Sequence, residues 1–441
     1  MNVEPYISWV KDRNPGEREF IQATGNFLQS IAPVLQYHPE WERLGIIKRL
    51  LEPDRIIQFR VTWRDDQNQV QVNRGYRVQY SQAIGPYKGG IRFHPSVNSS
   101  ILKFLAFEQT FKNALTGLPL GGGKGGSDFD PKGKSEEEIM RFCQSYMLEL
   151  YRHIGKDVDV PAGDIGVSKR EVGYLYGMYK KIVNQWDGTF TGKGLSYGGS
   201  IFRPEATGYG LCYFMEEYLQ DQGLSFNGRR VIISGSGNVA IHACVKAQSF
   251  GAHVVGMSDS KGAIFDENGM DIELIKGIKE KPGTLEAYTN YREATYYPNP
   301  KALWTIPCDI ALPCATQNEL TIDDAKVLID NGCQAVGEGA NMPCTSEAIQ
   351  YFYEQGILFA PAKAANAGGV SVSGLEMTQN AMRLSWRAEE VDQQLKSIMR
   401  TIYQTVRETA ETYGKPGNLS FGANVAGLVR VAHAMMEQGV V

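Results

Sequence analysis

The chain has 441 residues, a formal net charge of -4, and 42% hydrophobic against 21% charged residues. That length exceeds what one hydrophobic core serves, so two or three domains are expected, and the composition excludes a disordered or repetitive chain. The mildly acidic balance, without a long basic run, argues against nucleic acid as the main partner. No apolar run approaches the roughly 18 residues of a membrane span, and Glu4 interrupts the stretch where a signal peptide would be apolar. A soluble, cytoplasmic protein without a membrane partner is therefore expected.

The seven cysteines stand singly, with no C-x-x-C pair, and the six histidines are dispersed. Neither a disulfide framework nor a zinc site is expected, and no metal. His94, in RFHPSV, reads as a turn or core histidine rather than a ligand.

In chain order, QFRVTWRDD, QVQVNRGYRVQYS and KGGIRFHP alternate as strands do, and SILKFLAFEQTFKNALTGL reads as a helix. The first two hundred residues thus form an α/β domain. After the helix, LPLGGGKGGSDFDP sets Lys124 among Gly121, Gly122, Gly123, Gly125 and Gly126. Read as a loop, this segment fails as a nucleotide P-loop, because Gly125 stands where Ser or Thr would bind the metal. What remains is a backbone stripped of side chains around one amine, suited to close approach of a substrate. An ordinary glycine turn with an exposed lysine is the alternative.

Two further lysines flank it, Lys88 in GPYKGG and Lys112 in FEQTFKNAL. Lys88 alone could be a turn lysine, and Lys112 could pair with Glu108 one helical turn earlier. Together they could clamp a substrate with two carboxylates, while a third lysine held near them has its charged form disfavoured and can serve as a base. In DVDVPAGDIGVS, Asp164 follows Gly163 at a strand-to-loop corner; an aspartate opposite an amine is a natural proton shuttle.

A second glycine signal, RRVIISGSGNVA, runs from a strand into Gly235-x-Gly237-x-x-Ala240. It is the βαβ dinucleotide fingerprint: Gly235 for the tight turn, Gly237 for approach of a pyrophosphate, Ala240 for helix packing. Val239, Ala240, Ala243, Cys244 and Ala247 give the following helix a small apolar face, and the strand HVVGMSD ends at Asp259, at the spacing where an acid meets the adenosine ribose. Ser258, Asp259, Ser260 and Lys261 suit a ribose 2′-phosphate, so NADP is preferred with NAD open. The plainer reading is that the two serines bond local backbone in a strand-end turn.

GPYKGGIRFHP, FEQTFKNALTGLPLGGGKGGSDFDP, PAGDIGV, RPEATGYG, the Gly235 fingerprint, GEGANMP and NAGGVSVSGLEM together resemble the hexameric glutamate dehydrogenases of the Glu/Leu/Phe/Val dehydrogenase family, over almost the whole chain. The resemblance implies reversible oxidative deamination of L-glutamate to 2-oxoglutarate and ammonia (ammonium), with hydride passing to a nicotinamide. By motif it implies that Lys88 and Ser373 bind the side-chain carboxylate. Lys112 and Gln109 would hold the α-carboxylate, with Gly163 lining the substrate. Lys124 would activate the attacking water, and Asp164 would exchange protons with the substrate nitrogen. On the cofactor side it implies Thr207 at the nicotinamide amide, Gly235, Gly237, Asn238 and Val239 at the pyrophosphate, and Asn341 at the nicotinamide ribose. Ser258, Asp259, Ser260 and Lys261 would face the adenosine ribose. The implied architecture is an α/β substrate and assembly domain over 1–198, a doubly wound Rossmann-type coenzyme domain over 199–415 and a C-terminal helix over 416–441 that returns to the first. No long insertion precedes the C-terminal helices, so the nucleotide regulation of animal relatives is not expected. Two other readings compete. A branched-chain or aromatic amino-acid dehydrogenase would have an apolar pocket at Lys88 and Ser373. A catalytically silent dinucleotide sensor would lack Lys112, Lys124 or Asp164.

Overall fold

The computed structural model describes residues 2–280 and 283–441. The chain divides into two compact units, one of Met1–Ile201, Val372–Val391 and Asn424–Val441, the other of Phe202–Ser371 and Asp392–Ala423.

The first unit is built on five strands: β1 (Arg55–Arg64), β2 (Val70–Ser81), β3 (Tyr87–Phe93), β4 (Gly122–Ser127) and β5 (Asp159–Gly163). Their order is β1-β2-β4-β3-β5. β1, β2 and β4 pair antiparallel, whereas β4, β3 and β5 run parallel. The β1–β2 hairpin turns at Asn68, whose φ of 62° a short polar side chain tolerates. The helix Ser99–Leu115 starts where Asn98 accepts a hydrogen bond from the Ile101 amide at 2.9 Å. Behind the sheet a cluster including Phe93, Phe129, Phe142 and Tyr146 forms the core, with the Phe129 and Phe142 rings stacked at 3.8 Å.

The loop expected around Lys124 is absent. The glycine segment around Lys124 is a strand, β4, in the middle of the sheet rather than a loop. Glycine has poor strand propensity, but packing on both faces requires it. On one face a Cβ at Gly122 would lie 1.9 Å from Thr110 Oγ1 of the covering helix, and one at Gly126 2.6 Å from the Arg92 carbonyl oxygen. On the other, a Cβ at Gly125 would press on Arg77 at 3.2 Å.

The second unit carries β6 (Arg230–Ile233), β7 (His253–Ser258), β8 (Ala263–Phe265), β9 (Thr295–Tyr297), β10 (Ile310–Leu312), β11 (Ala335–Gly337) and β12 (Leu358–Ala360). The order β12-β11-β10-β6-β7-β8-β9 is parallel from β12 to β7 and antiparallel beyond. The helix Asn238–Ser249 joins β6 to β7, while Ile322–Asp330 and Ser346–Glu354 join β10 to β11 and β11 to β12. These connections run in opposite directions along the sheet, and right-handed crossovers put them on opposite faces. The sheet is therefore doubly wound, with its switch point between β6 and β10. Strands this short hold because both faces are buried: Ile232, Val255, Ala311 and Val336 are fully covered. No helix of the described residues is long and apolar enough to cross a membrane.

Candidate functional site

In the first unit, strand register brings the expected residues onto one face of the sheet. Ile91 lies opposite Gly125 on β4 and Gly163 on β5. Alternation then directs Lys88 and Arg92 of β3, Lys124 of β4 and Asp164 just past β5 to the same side. Gly90 keeps this side open, since a Cβ there would lie 2.8 Å from that of Asp164. Lys124 Nζ and Arg92 Nε both reach Asp164 Oδ2, at 3.1 and 2.8 Å. Lys124 is 6% exposed.

The electrostatics follow from this crowding. Burial pushes the Lys124 amine below its usual range; the Asp164 carboxylate partly offsets this, and the Arg92 and Arg77 cations add to it. Burial pushes the Asp164 carboxyl up, but Lys124 and Arg92 outweigh it and hold the carboxyl below its ordinary value. Such a pair keeps a proton on call between amine and carboxylate.

The helix Ser99–Leu115 lies over β4 and supplies Gln109 and Lys112. Gln109 donates to Asn113 Oδ1 at 2.6 Å, and Asn113 donates to the Lys88 carbonyl at 3.1 Å and to that of Gly121. Asn113 thus ties the helix to the strands bearing Lys88 and Lys124. Ser373 is buried in the same unit; its neighbour Gly374 packs so closely that a Cβ would meet Leu118 at 2.5 Å. One turn on, Glu376 forms a fully buried ion pair with Lys193 at 2.8 Å. His94 sits in a turn, its Nδ1 2.8 Å from Ser96 Oγ.

In the second unit the fingerprint ends β6 at the switch point. Gly235 has φ +86°, which favours glycine, and its amide donates to Ser258 Oγ at 3.1 Å. That buried hydroxyl thereby braces the turn while keeping its own proton to donate. Ser234 donates to Glu319 at 2.8 Å, bracing the same corner. Gly237 caps the helix Asn238–Ser249, and nothing lies within 4 Å of where its Cβ would be. The helix N-terminus therefore faces open space able to take a phosphate group. Asn238 donates to the Pro204 carbonyl at 2.5 Å, and Val239 is half-buried beside it.

Asp259 does not stand free. Its Oδ1 accepts from the Lys261 and Gly262 amides at 2.8 and 3.2 Å, its Oδ2 from Leu285 at 2.8 Å, and Lys279 Nζ is 3.6 Å away. Its charge is largely offset, and Ser260 and Lys261 are exposed beside it. Thr207 opens the helix Ala206–Asp221 against Gly369, where a Cβ would lie 2.7 Å from Thr207 Oγ1. Asn341 is exposed after β11, its Oδ1 accepting from Asn366 at 2.9 Å. Just before it, Glu338 is buried, accepting from the Cys344 and Ala362 amides at 3.2 and 2.7 Å. Burial raises its carboxyl to about 7 against those two bonds.

The expected residues thus form two sets. Lys88, Gln109, Lys112, Lys124, Gly163, Asp164 and Ser373 lie in the first unit, and Thr207, Gly235, Gly237, Asn238, Val239, Ser258, Asp259, Ser260, Lys261 and Asn341 in the second. Sequence reasoning missed Arg92, Asn113, Arg77 and Glu338. Only Arg92 left a signal, four residues after Lys88 on an alternating strand. Among the described residues no group of three or more His, Cys, Asp or Glu side chains could hold a metal.

Known proteins resemble the whole chain. The family described as Glutamate/Leucine/Phenylalanine/Valine dehydrogenase matches residues 198–439, and its companion, the Glu/Leu/Phe/Val dehydrogenase dimerisation domain, matches 53–181. An NADP-specific glutamate dehydrogenase of Salmonella typhimurium is 57% identical over 100% of this chain and 99% of its own. An NAD-specific glutamate dehydrogenase of Bacteroides fragilis is 56% identical over 100% of both. The crystal structure of Plasmodium falciparum glutamate dehydrogenase matches with a TM-score of 0.96 at 51% identity, covering 99% of this chain and 94% of that one.

Proposed function

We propose, from the premise that the chain belongs to the Glu/Leu/Phe/Val dehydrogenase family, that it is a glutamate dehydrogenase, an oxidoreductase interconverting L-glutamate with 2-oxoglutarate and ammonium. The observation that carries this reading is the buried amine of Lys124 held 3.1 Å from Asp164 on a sheet face that also bears Lys88. A substrate with two carboxylates needs two cationic anchors, and we assign them to Lys88, with Ser373, and to Lys112, with Gln109. Gly163 lines the same face without a side chain.

In the aminating direction the ammonia nitrogen attacks the 2-oxo carbon. Lys124, its charged form disfavoured by burial, relays from solvent the two protons with which the former carbonyl oxygen leaves as water. Asp164, held ionised by Lys124 and Arg92, accepts a proton from the incoming nitrogen and returns it to the product amine. In the reverse direction Lys124 takes a proton from the water that attacks the iminium carbon. When bound, a nicotinamide dinucleotide would supply or accept the hydride at the substrate α-carbon.

The second unit suits that dinucleotide. We assign the pyrophosphate to Gly235, Gly237, Asn238 and Val239, the nicotinamide end to Thr207 and Asn341, and the adenosine ribose to Ser258, Asp259, Ser260 and Lys261. The space at Gly237 and the helix N-terminus behind it support the first assignment. NADP is favoured over NAD because the Asp259 carboxylate is offset by three amides and Lys279, leaving little charge to repel a 2′-phosphate. Relatives of nearly equal identity are named for each coenzyme, so overall similarity does not discriminate between them. We further assign the protein to the cytoplasm and to a homo-hexamer; the dimerisation-domain match supports the oligomer.

The test is the initial rate of NADPH and, separately, NADH oxidation with 2-oxoglutarate and ammonium, with an apolar 2-oxo acid as control. Turnover with 2-oxoglutarate alone, faster with NADPH, is expected. Faster turnover of the apolar acid would replace this reading with a branched-chain or aromatic amino-acid dehydrogenase. No turnover from folded protein that binds dinucleotide would leave a silent sensor.

A further inference from the structure

Beneath the lysine strand, on the opposite face of the sheet, runs a second charged pair. Arg77 of β2 and Asp159 of β5 are wholly buried, with Nε and Nη2 donating to the carboxylate at 2.8 and 2.5 Å. Their strands are not neighbours: β4 and β3 lie between them. The guanidinium must therefore pass under both intervening strands, and its Nη1 donates on the way to the Gly89 carbonyl of β3 at 3.1 Å. Gly123 and Gly125 make the passage, since Cβ atoms there would lie 3.4 Å from Arg77 Nη2 and 3.2 Å from Nη1. Lys124 sits between those two glycines and points to the other face. Gln79 completes the pair, donating to Asp159 at 3.0 Å.

We propose that Arg77 and Asp159 act as a positioning pair for Lys124: the guanidinium fixes the height of β4 and sets a permanent cation directly behind the amine. The inference rests on Lys124 being the working base. The pair is neutral in total but oriented, with its positive end under β4 and its negative end at β5, so it favours the uncharged amine. The other charged groups on elements packed around Lys124 include Arg92 and Lys88 from β3, Lys112 and Glu108 from the covering helix and Asp164 after β5. Arg92 acts in the same direction as Arg77 and Asp164 opposes them; by sign Lys88 and Lys112 would add to the first and Glu108 to the second.

The test is the pH dependence of kcat/KM for 2-oxoglutarate amination by the full chain. Removing both charges with Arg77→Met and Asp159→Leu leaves no unpaired buried ion, and Asp159→Asn leaves the cation uncompensated. The inflection governed by Lys124 is expected to rise by about half a pH unit in the double variant and to fall in Asp159→Asn. Arg77→Lys, which keeps the cation, is expected to restore the wild-type inflection even with a reduced kcat. Shifts of opposite sign would not come from a merely structural role. Rates that drop uniformly with unmoved inflections overturn the proposal, and if the double variant does not fold, Asp159→Asn and Arg77→Lys decide it by the same readout. A wild-type enzyme without 2-oxoglutarate turnover would instead overturn the glutamate reading.

Discussion

Two glycine-rich segments carry the two halves of this protein's chemistry, and they use the missing side chains for opposite reasons. Around Lys124 the protein itself fills the space: the Thr110 hydroxyl on one face and the Arg77 guanidinium on the other. At the dinucleotide fingerprint Gly235 is demanded by its φ of +86°, but Gly237 has an ordinary φ of -85° and no protein atom near its absent Cβ. Small residues required by packing hold a group in place. A small residue that packing does not require marks space kept for something that arrives.

The largest expected effect tests the first segment. Lys124→Ala keeps the β4 backbone and removes the side chain beyond Cβ with its amine, so turnover is expected to fall by about 10²–10⁴-fold, the usual worth of a positioned acid or base. Dinucleotide affinity, measured by fluorescence titration, should be unchanged, because the fingerprint belongs to the other compact unit. Equal loss of both would break the division between the segments. Next comes Gly122→Ala. Its Cβ would overlap Thr110 Oγ1 at 1.9 Å and the Thr110 backbone at 2.7 Å, and the helix cannot yield as a side chain could. A loss of about 3 kcal/mol in denaturant unfolding is expected. A stability close to wild type would show that β4 is not held as tightly as its contacts indicate.

The two units also differ in how they handle buried charge. Lys124 and Asp164 neutralise one another, whereas Glu338, beside the loop of Asn341, faces two backbone amides and the Cys344 thiol and has a carboxyl raised by burial to about 7. Its folded value exceeds that of an unfolded glutamate, near 4.3. The folded protein therefore keeps a proton that the unfolded chain has released, and this stabilisation, complete below pH ~4.3, is lost as pH rises through about 7. Across that window Glu338 costs about 4 kcal/mol, which Glu338→Gln should remove. The difference in unfolding free energy between wild type and variant should grow from pH 5 to 8; a constant difference would mean the carboxyl ionises normally.

What the sequence disclosed follows the same physics. β1 and the first half of β2 were legible because one-sided burial imposes alternation there, whereas the rest of β2 and β3 are covered on both faces; the fingerprint was legible because a fixed spacing of glycines serves a fixed turn. β4 was not legible: five glycines around one lysine carry neither alternation nor strand propensity, and the reasons for them lie in Thr110 and Arg77, far away in the chain. Arg77 and Asp159 are 82 positions apart and meet through the sheet, so no local pattern announces them. At Ser258 the sequence left two uses of a hydroxyl open, and the bond from the Gly235 amide, 23 residues back, could be seen only once β6 and β7 lay side by side.

Gly237→Ala is the smallest change and the sharpest test of the comparison. Alanine takes the observed φ of -85° and ψ of -172° without strain, and its methyl would enter open space, so unfolding free energy should stay within about 0.5 kcal/mol of wild type. The same methyl would stand where a pyrophosphate must reach the first amides of the helix Asn238–Ser249. The dissociation constant for NADP should rise about tenfold, or ~1.4 kcal/mol, while kcat at saturating coenzyme changes little. Weakened folding with unchanged affinity would mean that Gly237 serves the fold, as the glycines of β4 do. Unchanged folding with weakened affinity would mark its emptiness as the coenzyme's place.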